Sequence, residues 1–184
     1  MNKFISTAAL AGAALALTTA AYAENPMVGG APMYEDRNIV ENAVNSEDHT
    51  TLVAAVKAAG LVETLQGEGP FTVFAPTNAA FEKLPEGTVE TLLKPENKDQ
   101  LTTILTCHVV AADAMSADIN KMIMDDGGEH IIPTVGGCEF NSYMEDGMLK
   151  IEDGQGNVAT VTIADVDQSN GVIHVIDTVL LPAS

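Results

Sequence analysis

The sequence is short of basic side chains. Its 184 residues carry 8 Lys and Arg against 26 Asp and Glu, which gives a formal net charge of -18 at pH 7. Proteins that bind nucleic acid or dock on anionic lipid do so through clusters of Lys and Arg. The composition therefore argues against both classes, and we expect a neutral, cationic or metallic partner. Because 46% of the residues are apolar, we still expect a folded core, in one domain.

Long uncharged segments are also scarce, and the one present lies at the N-terminus. Residues 4–23 contain no charge, follow Lys3 and end in Ala21-Tyr22-Ala23. Small residues in this spacing are typical of a signal-peptidase site, so we predict a signal peptide over residues 1–23, cleaved after Ala23. A membrane anchor is the alternative, but the segment is rich in alanine and poor in bulky apolar residues.

The signal peptide predicts that the mature chain is secreted or periplasmic and has no membrane span. Its alanine-rich character, together with the lack of an Asn-x-Ser/Thr sequon and of a lipid-anchor tail, favours a bacterial source. The surplus of acidic residues is compatible with solubility, a saline habitat or a cationic partner.

Cysteine is limited to Cys107 and Cys138. In an exported protein an even cysteine count most simply indicates a disulfide, and closure of this loop would contribute about 3.7 kcal/mol in the chain-entropy model. Two buried thiols or a redox pair are the alternatives, although the pair lacks the C-x-x-C spacing of redox motifs.

The first half of the mature chain is predicted to be mostly short helices around one strand. Residues 24–37 contain Pro and Gly with little periodicity and predict a flexible leader, so that the folded domain covers residues 38–182. Residues 71–75 form a β-branched and aromatic run typical of a strand, and Thr77 is placed to cap the helix that follows. Helical spacing and caps occur at 38–44, 51–59, 78–83, 88–93 and 97–105.

The second half is predicted to be mostly β-structure. Short apolar or alternating runs begin at Cys107 and are separated by Gly, Asp and Asn, and residues 153–157 are typical of a hairpin turn. Such runs occur at 107–110, 131–135, 139–143, 148–151, 158–163, 172–176 and 179–181. Helices segregated from a largely antiparallel sheet predict an α+β fold.

Recognisable catalytic motifs are absent. The sequence has no Gly-x-Ser-x-Gly, His-Glu-x-x-His or Walker motif, and the glycines at 154–159 precede a predicted strand, whereas a nucleotide fingerprint opens a helix. Cys107 and His108 are neighbours on a predicted strand and would point to opposite faces. We therefore expect no enzyme activity, no cofactor and no metal centre, and interpret His174, within an apolar strand, as structural.

Two acidic turns allow a second interpretation. Residues 165–171 begin like a calcium loop, but they lack the glycine and glutamate that an EF-hand requires at its sixth and twelfth positions. Residues 125–129 form another acidic turn. Solvated turns explain both segments, and weak calcium binding is the alternative.

Two sequence blocks resemble the fasciclin domain family. The first is Gly69-Pro70-Phe71-Thr72-Val73-Phe74-Ala75-Pro76-Thr77-Asn78-Ala79-Ala80-Phe81, and the second is Ser169-Asn170-Gly171-Val172-Ile173-His174-Val175-Ile176-Asp177 followed by a Leu-Leu-Pro ending. The resemblance implies a wedge of about seven strands in two sheets flanked by short helices. It also implies an exported protein that acts in adhesion or in matrix contact.

The resemblance gives particular residues an expected role. Asn170, Gly171, His174, Asp177 and Thr77 belong to blocks that specify the fold. Adhesion candidates are Asp165, Val166 and His108, which match family positions linked to integrin binding. Val166 stands where those relatives have Ile, and Cys107 beside His108 stands where they have Tyr.

Together these inferences predict a secreted, non-catalytic binding module for cell adhesion or cell-surface contact, with a protein or matrix component as its partner. The alternative is a periplasmic carrier of a small molecule or metal ion. An exposed apolar patch would favour adhesion. An apolar pocket beside His108 or His174, with a few polar groups, would favour the carrier.

Overall fold

A computed structural model describes residues 25–183, so the predicted signal peptide lies outside the described residues. The helices within this range are α1 (Ile39–Ala43), α2 (Thr50–Ala59), α3 (Val62–Leu65), α4 (Asn78–Glu82), α5 (Thr88–Leu92), α6 (Lys98–Cys107) and α7 (Ser116–Asp125). The strands are β1 (Met27–Val28), β2 (Ala31–Pro32), β3 (Phe71–Pro76), β4 (Val109–Val110), β5 (Glu129–Pro133), β6 (Glu139–Glu145), β7 (Met148–Glu152), β8 (Val158–Gln168) and β9 (Gly171–Ile176).

Seven of these strands form one sheet in the order β4-β3-β9-β8-β7-β6-β5. β3 and β9 are parallel, whereas the other neighbours are antiparallel. The long strand β8 pairs with β7 over residues 158–160 and with β9 from Val161 onward, and the β9 pairing contains register shifts between Val161 and Ile163 and between Ile163 and Val166. Because such irregularities bend a strand, β8 divides the sheet into two halves. The α+β class and the seven-stranded architecture are confirmed.

The central strands β3 and β9 are covered on both faces. Each has five buried residues of six, which agrees with their mainly apolar sequences, in which Thr72 and His174 are the buried polar residues. On one face, Val73 and Ile173 pack with α1–α6 in a helical core. On the other, Phe74 and Ile176 pack with α7 and with the inner residues of β5–β8. The two cores therefore share β3 and β9.

The segment predicted to be a flexible leader has structure between residues 25 and 37. β1 and β2 form a small antiparallel hairpin. Val28 and Met33 are buried in the helical core at 3% and 2% exposure, and the backbone N–H of Glu47 donates to the carbonyl of Gly29. Two apolar side chains thus anchor a segment whose Pro and Gly content predicted no fold.

Three local predictions differ from the structure. Residues 116–125 form helix α7, which the sequence reading missed, and Cys107 ends helix α6 where a strand was predicted. Residues 179–181 were predicted as a strand, but they lie outside β9, which ends at Ile176. The hairpin turn between β7 and β8 is as predicted.

Candidate functional site

A disulfide joins Cys107 to Cys138, as predicted, with their Cα atoms 5.4 Å apart. Cys107 is the last residue of α6 and Cys138 precedes β6. The bond therefore ties the helical half of the protein to the β5–β6 hairpin.

The ring of His108 connects two backbone segments. Its Nδ1 lies 2.8 Å from the carbonyl oxygen of Ile104 in α6, and its Nε2 accepts a hydrogen bond of 2.9 Å from the N–H of Leu180. The side chain is 2% exposed, and burial lowers its pKa to about 4. His108 is therefore a neutral structural residue, with both ring nitrogens engaged.

His174 has an equivalent arrangement in β9. Its Nδ1 accepts from the N–H of Asp165 at 3.2 Å, and its Nε2 lies 2.8 Å from the carbonyl oxygen of Ala114. The ring stacks on Phe74 with centroids 5.7 Å apart, and burial lowers its pKa. These contacts give His174 a structural role and leave no ring nitrogen for a ligand.

The adhesion candidates do not form a common surface. Val166 is completely buried and His108 is almost so, which means that neither reaches a partner in this structure. Asp165 is exposed, but its carboxylate accepts from the N–H and the hydroxyl of Ser116 at 2.6 and 2.5 Å, at the start of α7. The carboxylate therefore caps this helix, and contact between Asp165 and a partner stays a prediction.

Asn170 and Gly171 join three parts of the helical core. The amide oxygen of Asn170 accepts from the N–H of Ile39 at 3.0 Å, and its amide nitrogen donates to the carbonyls of Leu65 and Gly67 at 2.8 and 3.0 Å. Gly171 has a φ of +150°, and a Cβ there would lie 1.9 Å from the carbonyl oxygen of Phe71. Any larger residue would separate β9 from β3.

Thr77 and Asp177 hold the opposite ends of the same strands. The hydroxyl of Thr77 accepts from the N–H of Ala80 at 3.3 Å and caps α4, as predicted. Desolvation opposes ionisation of Asp177, but hydrogen bonds from Thr160 and Thr178 and the nearby Lys83 ammonium lower its pKa overall. These residues serve the fold.

The β5–β8 half of the sheet exposes one side, which we call the outer sheet face. One row across four strands consists of Ile131, Asn141, Glu152 and Val158. The adjacent row is Glu129, Tyr143, Lys150 and Thr160, and Met148 pairs with Glu145 beside it. The exposed fractions of Ile131, Met148 and Val158 are 51%, 43% and 40%.

The charge of the outer sheet face is mainly negative. Glu129, Glu139, Glu145 and Glu152 accompany one lysine, Lys150, whose ammonium donates to Thr160 at 2.8 Å. Desolvation, followed by the charges of Glu145, Glu152 and Glu129, raises the pKa of Tyr143. The outer sheet face therefore consists of exposed apolar side chains surrounded by glutamates.

A second feature is an apolar cavity of about 60 Å³ in the helical core. Its walls come from β1, from α1–α3 and from the buried side of β3. The polar side chains at its wall are Ser46, His49, Lys57 and His108, and the other lining residues are apolar. The sequence pointed to a pocket beside His108 but not to His49, which lies in polar surroundings along the chain.

Acidic residues also border an open cleft between the loop at 66–70 and the loop at 167–171. Desolvation, followed by the nearby Glu35 and Asp113 carboxylates, raises the pKa of Asp167 in this cleft. Nowhere in residues 25–183 do three His, Cys, Asp or Glu side chains come together to hold a metal ion. None of the helices in this range is long and apolar enough to span a membrane.

Comparison with known proteins agrees with this architecture. The family model of the Fasciclin domain matches residues 47–182. Protein sll1483 of Synechocystis is 48% identical over 98% of this chain and 96% of its own length. The cell surface glycolipoprotein MPB83 of Mycobacterium bovis is 35% identical over 97% of this chain and 78% of its own length.

A solved structure of a FAS1 domain pair, from the insect cell adhesion molecule Fasciclin I, superimposes with a TM-score of 0.71 at 21% identity. The alignment covers 79% of this chain and 51% of the pair. The family model, the relatives and the superposed structure all agree with the family resemblance of the sequence blocks that contain β3 and β9. The chain belongs to the fasciclin domain family.

Proposed function

We propose that this protein is an exported, non-catalytic contact module whose outer sheet face binds a protein or matrix component at the cell surface. The signal peptide predicted over residues 1–23 and the cell-surface description of the relative MPB83 support this location. The observation that carries the proposal is the exposed apolar group of Ile131, Met148 and Val158 on a face that the fold leaves uncovered.

The chemistry of this face favours a particular kind of partner. Apolar side chains that are about half exposed still gain by burial, each by about 1 kcal/mol, since complete burial of such a side chain contributes about 1.5–3 kcal/mol. The surrounding glutamates repel acidic surfaces and attract basic ones. We therefore expect a partner that presents an apolar patch bordered by Lys or Arg.

Two buried histidines and two aspartates that the sequence singled out support a function without turnover. His108 and His174 use both ring nitrogens for backbone contacts, and Asp165 and Asp177 accept hydrogen bonds that stabilise helix and strand ends. A nucleophile needs a free base within hydrogen-bond reach. These side chains are committed to the fold.

Attachment of cells to a surface coated with the purified protein tests the proposal. The double variant Ile131→Thr and Val158→Thr keeps β-branched residues in the strands but removes apolar surface. We expect about ten-fold fewer attached cells, since roughly 1.4 kcal/mol corresponds to a factor of ten. The control Val44→Thr alters a side chain that is 49% exposed at the end of α1, on another part of the surface.

Salt and soluble competitor sharpen the test. Added salt screens the glutamates, so attachment should slow but persist through the apolar contact. Excess soluble wild-type protein should compete, whereas the soluble double variant should not. Equal attachment to wild-type and double-variant surfaces would refute the role of the outer sheet face.

A further inference from the structure

We propose that the cavity in the helical core binds a small, neutral, largely apolar molecule carrying one hydroxyl group, which hydrogen-bonds with Nε2 of His49. The cavity lies in the core formed with α1–α6, whereas the outer sheet face belongs to β5–β8. The proposal is therefore independent of the contact function.

The cavity is larger than the voids that ordinary core packing leaves. Protein interiors are packed as densely as organic crystals and contain few voids larger than a water molecule. A volume of about 60 Å³ exceeds the minimum of about 15 Å³ for a water. Leu52, Val56, Val73 and Ile173 are among the apolar residues that leave it unfilled.

The imidazole of His49 is incompletely satisfied. Its side chain is 3% exposed, and Nδ1 lies 2.8 Å from the hydroxyl of Ser46. Nε2 makes no hydrogen bond of good geometry among the described residues, and its nearby polar contact is the backbone of Ala75, which opposes the lowering of the pKa of His49 by burial but does not overcome it. This differs from His108 and His174, where both ring nitrogens are bonded. A buried polar atom without a partner is costly, so a ligand that supplies one is favoured.

Water is a poor occupant of this site. A buried water requires two to four polar partners, and apolar cavities remain dry. Apart from Lys57, whose side chain is exposed, the wall offers one buried polar atom without a good hydrogen bond, Nε2 of His49, among mainly apolar side chains. One polar group on an otherwise apolar ligand matches this wall.

A hydroxyl group fits His49 whichever ring nitrogen carries the proton. If Nδ1 donates to Ser46, Nε2 is an acceptor, and if Ser46 donates to Nδ1, Nε2 carries the proton. A hydroxyl can both donate and accept, so it serves either state. Burial lowers the pKa of His49, which keeps the ring neutral and removes any attraction for an anion.

The lining residues also indicate an entrance. Lys57 is exposed, and Ala43 and Val62 are half-buried, while the other end of the cavity is closed by buried β3. These three residues place the opening between α1, α2 and α3. A ligand can therefore lie with its hydroxyl towards His49 and with its chain extending through the opening, because a volume of about 60 Å³ does not enclose a molecule as large as 1-hexanol.

Titration of the purified protein with 1-hexanol, followed by amide and methyl NMR, tests this site. Xenon gas serves as a purely apolar probe, since it occupies dry cavities without a hydrogen bond. We expect saturable shifts at Leu52, Val56 and Val73 with both probes. The variant His49→Asn can keep the contact with Ser46 but has no atom at the Nε2 position, so hexanol should bind about ten-fold more weakly while xenon binding is unchanged.

Two further variants make each outcome decisive. His49→Gln places a polar group near the Nε2 position and should restore hexanol binding, whereas Val56→Phe fills the cavity and should abolish binding of both probes. If His49→Asn does not fold, Val56→Phe still tests the cavity with His49 intact. Absence of saturable shifts in the wild type would overturn the site, and equal hexanol affinity in His49→Asn would overturn the assignment to Nε2. Tyr143→Phe on the outer sheet face should leave both titrations unchanged.

Discussion

Acidification should destabilise this protein because His108 must stay neutral in the folded state. Its Nε2 accepts a hydrogen bond from Leu180, and a protonated ring would lose that acceptor inside the core. Burial lowers the pKa from 6.5 to about 4 in the folded protein. The unfolded chain therefore binds a proton in this interval that the folded chain does not.

The size of the effect follows from proton linkage. A difference of roughly 2.5 pKa units is equivalent to about 3.5 kcal/mol, at about 1.4 kcal/mol per unit. The contribution of His108 to the free energy of unfolding should be constant above pH 6.5, fall by about 1.4 kcal/mol per pH unit down to pH 4, and be constant again below that. His49 and His174, whose pKa values are also lowered, change the slope in the same direction.

Urea unfolding at half-unit steps between pH 7.5 and pH 4 measures this slope. The variant His108→Gln should be less stable at neutral pH, and its slope should be smaller than that of the wild type by about 1.4 kcal/mol per pH unit. His130→Gln changes a histidine at the surface end of β5 and serves as the control. Equal slopes for wild type and His108→Gln would refute the reasoning.

Three other perturbations test the fold around the site. Reduction of the disulfide should lower the free energy of unfolding by roughly 3–4 kcal/mol in urea titrations, and an unchanged midpoint would contradict its stabilising role. Gly171→Ala should destabilise the protein by at least about 3 kcal/mol because its Cβ meets the backbone of Phe71. The control Gly30→Ala, at a φ of +75° with open space around it, should cost about 1–2 kcal/mol. Comparable urea midpoints for the two variants would disprove the close contact. Asp165→Ala should cost about 1–2 kcal/mol and speed amide exchange at the start of α7, and unaltered exchange there would argue against the cap.

The sequence predicted those parts of the fold that are specified by a few consecutive residues. The apolar run of β3, the cap at Thr77 and the turn at 153–157 each combine a residue preference with a neighbouring boundary. Helix α7 was missed although Ile119 and Ile123 lie on one helical face, because its N-cap is Met115, whose side chain makes no capping hydrogen bond. The leader was missed because Val28 and Met33 gain their burial only from distant helices.

The candidate sites depend on long-range pairing, which explains why the sequence did not show them. Ile131 and Val158 become neighbours of one surface only through the register of four strands. His49 lies in a polar segment, but its buried side chain lines the cavity together with Val28 and Met33, which are distant in sequence. The sequence also did not reveal that Val166 and His108 are buried, because their burial depends on segments that are distant along the chain.

Methyl NMR of the labelled protein mixed with isolated cell envelopes of its source organism tests most directly that contact is made through the outer sheet face. Binding should broaden the methyl signals of Ile131, Met148 and Val158 while the signal of Val44 at the end of α1 stays sharp. Broadening centred on Val44, or none at the outer sheet face, would contradict the account.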